Sequence, residues 1–249
     1  MQLTTPPLST RFEDRVLAPI LTGARPGGTR PRWWLYPFIV LLAGAIYGGT
    51  MGSWNLETSD RLLLIPYAAI KVPMLILITT AICLPGYFVL STVIGLRSDF
   101  RAALGAIAAG QATVTLALCS LAPVTRFVYF SGIGHAGALL LSAAMFALAT
   151  CVGYAVMLRR YRPLLEKSRR HRVMLAAWIA MYVFVGIQMG WMLRPFVGTP
   201  GMAVTFVRPE PLSNAYVAVA KIIEQSFREV RGVESRNRNA TNPSSRPYR

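Results

Sequence analysis

The chain is short of charge, and shorter still of acid. Only 14% of its 249 residues are charged, where a soluble domain carries roughly 25%, so there are too few charges to cover a water-facing surface. Asp and Glu number 10 against 26 Lys and Arg, and no acid falls inside any of the long apolar runs. That gap argues against paired-carboxylate chemistry and against proton- or sodium-coupled transport, both of which place acids among the helices. Cysteine is scarce too. Cys83, Cys119 and Cys151 lie in three different runs with no CxxC or Cys/His spacing between them, so they read as small hydrophobes packed between helices, not as metal ligands. His135 opens the fourth run with no second His or acid at metal spacing. The sequence contains no GxSxG, P-loop or HExxH motif. No catalytic residue, cofactor or metal is expected.

What fills the chain is apolar sequence, 54% of it. A hydrocarbon core about 30 Å thick needs roughly 20 apolar residues as a helix. Residues 34–51, 102–122, 134–158 and 173–193 each supply one such run, the first opened by the interfacial pair Trp33 and Trp34. Residues 62–96 form a further run that is too long for one straight crossing and holds Lys71, Pro66, Pro73 and Pro85. Its start reads as interfacial or oblique, with residues 72–94 as the spanning part. The expected fold is an all-α integral membrane protein of about five transmembrane helices. The apolar core of a cleavable signal peptide would come earlier than Trp33, so the first span is expected to act as an uncleaved anchor.

Charge between the runs sets an orientation. Counting Lys and Arg, the segments from the amino terminus to the fourth connection hold 5, 1, 2, 1 and 7. Positive segments stay inside, which puts the amino terminus in the cytoplasm and, after five spans, the carboxyl terminus outside. The location expected is the bacterial cytoplasmic (inner) membrane. The basic excess lies in these connections and not in a folded basic module, so nucleic acid is not an expected partner. The lipid bilayer is, anionic lipids included, together with a protein partner or a second copy of the chain.

Four segments follow from this reading. Residues 1–32 form a cytoplasmic segment with a short amphipathic helix, entered by the capping box Thr10–Arg11–Phe12–Glu13 and continued by Val16 and Ile20. Residues 33–194 are the helical membrane domain. Residues 195–232 comprise an apolar loop, expected to fold back over the bundle, and an amphipathic C-terminal helix whose stripe is Tyr216, Ala220, Ile223, Phe227 and Val230. Residues 233–249 read as a disordered basic tail.

Lys71 is the one charged side chain inside the runs. A charge at the centre of a span costs about 2.5–3.5 kcal/mol on insertion scales, which makes such a residue a functional candidate. Two roles stand open: a structural lysine snorkelling to the interface, or a ligand for an anionic group. Gln111, Gln188 and Arg194 complete a candidate polar or ligand site, Gln188 by hydrogen bonding across helices and Arg194 at the water interface. Gly44 with Gly48, and Gly186 with Gly190, are GxxxG faces that let helices approach closely.

The stretch from Lys71–Val72–Pro73 to Cys83–Leu84–Pro85, and the stretch Gln188–Met189–Gly190–Trp191 through Leu193–Arg194–Pro195–Phe196 with Gly198 and Pro200, resemble a family of uncharacterised bacterial five-span membrane proteins. Phe206–Val207–Arg208 followed by Ser213–Asn214 fits the same pattern, so the resemblance covers roughly residues 60–230. It implies a multi-pass helical fold and no particular activity. The family is loosely similar to Yip-type trafficking proteins, which are five-span and non-enzymatic. Some relatives carry an actin-binding label, for which this tail offers no motif. The expected function is therefore non-enzymatic: a scaffold, assembly factor or accessory subunit of a membrane complex. The alternative is a small transporter or lipid-handling protein with a polar cleft around Lys71, Gln188 and Arg194.

Overall fold

A computed structural model describes residues 33–54, 62–194, 196–198 and 206. Five helices make up the bundle, and among the described residues there is no strand: α1 (Leu35–Gly52), α2 (Leu64–Val93), α3 (Phe100–Phe130), α4 (His135–Lys167) and α5 (Arg170–Met192). All five are long and apolar enough to cross a membrane. The amphipathic helices expected near Thr10 and Ser213, and the tail from residue 233, lie outside the described residues.

The helices run up and down. α1 starts, α2 ends, α3 starts, α4 ends and α5 starts at one end, called here the basic end for the arginines clustered there. Gly95, with φ +80°, turns the chain from α2 into a short 3-10 turn, Arg97–Asp99. Only Ser168 and Arg169 separate α4 from α5.

Apolar side chains gather in two clusters. One fills the half away from the basic end and joins α1 to α4 through Tyr47, Met51, Val72, Leu118 and Ala149. The other fills the basic half and joins α2 to α5 through Tyr87, Ile107, Met157, Tyr161 and Trp178. Val197 returns to bury itself in the first cluster beside Phe196, and Phe206 stacks edge-on against Tyr67 of α2 at 5.3 Å. To that extent the apolar segment after α5 does fold back on the bundle.

The second run forms a single helix: α2 has 30 residues and is about 45 Å long at 1.5 Å per residue, so residues 64–71 continue the helix of the part expected to span. Pro66 sits in its first turn, where the missing amide would have no partner anyway. Pro73 lies inside the helix, and its ring packs against Gly44 of α1, 3.3 Å from where a Cβ would stand. α3 and α4 also outrun their apolar stretches, ending at Phe130 and Lys167, because aromatic and basic residues continue the helical path past the apolar run.

Candidate functional site

Glycine decides how closely the helices meet. Gly44, Gly48 and Gly52 recur every four residues along α1 and face Pro73, Ala68 and Leu64 of α2 in turn. At Gly48 and Gly52 a Cβ would run into backbone carbonyls of α2, so only glycine fits. The sequence pattern marked Gly44 and Gly48; Gly52, four residues on, continues the same face. A second close crossing joins α3 to α4, where Gly110 and Gly153 each place backbone where the other would carry a side chain. Ala106 precedes Gly110, and Ala149 precedes Gly153, by four residues, a small-xxx-small signal that the sequence reading passed over. The other expected face is not tight. A Cβ at Gly186 would stand 3.7 Å from the Thr79 methyl, an ordinary contact, and one at Gly190 would have nothing within 4 Å among the described residues.

Lys71 is wholly enclosed, with 0% of its surface exposed. It is the eighth residue of α2. Its ammonium lies 5.2 Å from the centre of the Phe206 ring, within reach of a cation–π attraction. Thr79 opposite Gly186, and Gly86 opposite Met181, fix the antiparallel register of α2 and α5. Followed outward at 1.5 Å per residue, that register sets Lys71 level with Arg194. The Arg194 guanidinium is exposed and stacks on Trp191 at 4.1 Å. Gln188 is half-buried between these two levels. Gln111 belongs elsewhere. Its Oε1 accepts a hydrogen bond from the Tyr182 hydroxyl at 3.0 Å, about 18 Å along the bundle from Lys71 by the same register. The four candidate residues therefore form no single cluster.

Two threonines of α3 are engaged locally. Thr113 donates to the Ala109 carbonyl at 2.8 Å and Thr115 to the Ala112 carbonyl at 2.9 Å, both within their own helix. Cys83 is buried as expected, but Cys151 is exposed, on the side of α4 that turns away from the bundle. His135 packs its ring 5.2 Å from Trp54, whose indole N–H donates to the Ile133 carbonyl at 3.1 Å. Nearby Arg126 donates to the Ser53 carbonyl and hydroxyl at 2.8 and 2.6 Å. These bonds tie together the ends of α1, α3 and α4 away from the basic end.

The densest group of titratable residues lies at the basic end, and sequence reasoning missed it. Asp99, the single acid in the second connection, accepts two hydrogen bonds from the Lys167 ammonium at 2.7 Å and stands 3.2 Å from Nε2 of His171. The 3-10 turn presents Asp99 to the α4–α5 junction. The hydrogen bond from Lys167 holds the Asp99 carboxyl below the usual carboxylate range, against the opposing effect of partial burial. His171 is only 2% exposed and packs against the Tyr161 ring. The Tyr161 hydroxyl meets that of Tyr87 at 2.9 Å. A carboxylate–imidazole pair is the raw material of acid–base chemistry. Here the imidazole is shut away and the carboxylate is clamped by a lysine, so the arrangement works as a latch joining the α2–α3 turn to the α4–α5 junction. No group of three His, Cys, Asp or Glu side chains able to hold a metal occurs among the described residues. No protein-family model, curated protein or solved structure matches the chain.

Proposed function

We propose that the chain is a five-span protein of the bacterial cytoplasmic membrane that catalyses no reaction and serves as a scaffold, assembly factor or accessory subunit of a larger membrane complex. The enclosure of Lys71 carries this reading: the one charge within the apolar runs is sealed against Phe206 and does not line an open cleft. The pairing of Gln111 with Tyr182 points the same way, since both are used in joining α3 to α5. Much of α4 and α5 turns apolar side chains outward, among them Leu140, Val173 and Phe184, a surface suited to lipid or to another membrane protein. Among the described residues at the basic end, nine Lys and Arg face two acids, Asp99 and Glu166, which supports placing that end in the cytoplasm.

The lipid-handling or transport alternative draws on the common level of Lys71 and Arg194. Purification of the full chain from its native membrane in a mild detergent separates the two. A stoichiometric protein partner that reproducibly accompanies the chain supports the subunit reading; a monodisperse lone chain carrying lipid overturns it.

A further inference from the structure

At the basic end, where α1, α3 and α4 meet, a small notch is built from aromatic and cationic side chains. The Arg160 guanidinium, on α4, donates from Nη1 to the Tyr36 hydroxyl at 3.1 Å. Its Nε is buried and has no hydrogen-bond acceptor among the described residues. Tyr36 packs edge-on against Trp33, the ring centres 6.4 Å apart. The Trp33 indole in turn covers Gly105 of α3, 3.5 Å from where a Cβ would stand. Arg101 lies one turn before Gly105 on the same face of α3 and is exposed. The Gly110–Gly153 crossing and the bond from Lys167 to Asp99 set Arg101 about one turn nearer the basic end than Arg160.

Among the described residues, anions are what this notch lacks. Of the two acids at this end, Asp99 is held by Lys167 and His171, and Glu166 by Arg162 at 3.0 Å. A buried guanidinium N–H without an acceptor is unfavourable, and Nε is one prong of the fork with which arginine takes two oxygens of a phosphate or carboxylate. Tryptophan and tyrosine prefer the depth of lipid headgroups. Elsewhere on their surfaces the same helices expose apolar side chains to the surroundings, such as Phe38, Leu42, Val152 and Leu158. Cations and amphipathic aromatics thus occur together, a pairing suited to a lipid phosphate at the membrane interface.

Resting on the membrane reading above, we infer that the notch formed by Arg160, Tyr36, Trp33 and Arg101 binds the phosphate of one anionic phospholipid. Arg160 takes the phosphate through Nε while Tyr36 fixes the guanidinium, and Arg101 supplies a second positive charge at the rim.

The test is native mass spectrometry of the detergent-solubilised full chain, titrated in parallel with phosphatidylglycerol and phosphatidylcholine. The wild type should retain one phosphatidylglycerol in preference to phosphatidylcholine. Arg160→Gln should weaken that adduct on the order of tenfold, the scale of one charge-assisted hydrogen bond. Arg162→Gln removes a charge from the same helix but outside the notch and should leave the adduct unchanged. If Arg160→Gln does not fold, Arg160→Lys keeps the charge, loses the fork and should still weaken binding. Equal retention of both lipids, or equal loss in the Arg160 and Arg162 variants, overturns the site, the latter by showing diffuse attraction to a basic surface. Displacement of the lipid by inorganic phosphate overturns the choice of a lipid as the source of the phosphate. Carbonate washing of native membranes is read separately. Release of the wild type overturns the membrane reading and the site with it, whereas retention without lipid preference overturns the site alone.

Discussion

Gly48 of α1 lies so close to the carbonyl of Ala68 in α2 that no side chain fits between them. Gly48→Ala should therefore destabilise the bundle by about 1–3 kcal/mol, the usual cost of overpacking. At Gly190 nothing crowds the Cβ position among the described residues, so Gly190→Ala should be neutral or stabilising by up to about 1 kcal/mol, because glycine weakens a helix interior. Thermal unfolding of both variants in detergent checks the pair, and a Gly190→Ala loss as large as that of Gly48→Ala would contradict the assignment. Interhelical hydrogen bonds are weaker elements. Those measured in a membrane protein average about 0.6 kcal/mol, so Tyr182→Phe, which deletes the bond to Gln111, should cost less than Gly48→Ala.

Asp99 gives the bundle a pH dependence with a definite sign. Its carboxyl is held low in the folded protein, chiefly by the hydrogen bond from Lys167. A depressed pKa contributes stability that is fully present above the unfolded value, about 3.9 for aspartate, and is lost as the pH falls through the folded value. The wild type should be more stable than Asp99→Asn at neutral pH, and the difference between them should shrink below about pH 4. Unfolding temperatures across that range measure it; parallel curves would show that the latch contributes nothing.

Enclosure of Lys71 predicts protection of its amine. Acylating reagents should leave Lys71 unmodified in the folded wild type and modify it in Phe206→Ala, in which the covering ring is gone. Peptide mapping reads the result directly. Lys71→Met, of similar length and apolar, should keep the chain inserted and keep any co-purifying partner, as expected when a buried charge gives way to a well-packed apolar side chain. Loss of function with insertion and partner intact would instead favour the transport alternative.

On the proposed topology, five crossings from a cytoplasmic amino terminus place the carboxyl terminus outside. A reporter fused after Tyr248 should give the signal of the outer compartment, and a cytoplasmic signal would contradict the five-span count.

The helices were legible because twenty apolar residues in a row leave few other structures open to a chain in lipid. The path of residues 62–96 was not, because proline ordinarily ends a helix, and the sequence does not reveal that Gly44 waits opposite Pro73 to receive the ring. Packing partners were legible only where small residues recur in an obvious motif. Gly44 and Gly48 stood out, yet the equally close Gly110–Gly153 crossing hid among alanines, and the motif at Gly186 and Gly190 marks no comparably close contact. Tertiary polar groups were the least visible. Asp99 and His171 are 72 residues apart and each sits among arginines, so neither announces the other. Phe206, the ring that the Lys71 ammonium faces, lies 135 positions further along the chain.

The close fit of α1 against α2 also bears on how the protein is made. Its three glycine contacts join neighbours in the chain, whose connection is only 11 residues long, and contacts of short sequence separation form first. Synthesis delivers the amino-terminal pair before the rest. The first two helices thus constitute a hairpin able to lock its own register while the ribosome is still extending the chain, and the remaining helices are added to a seam already closed.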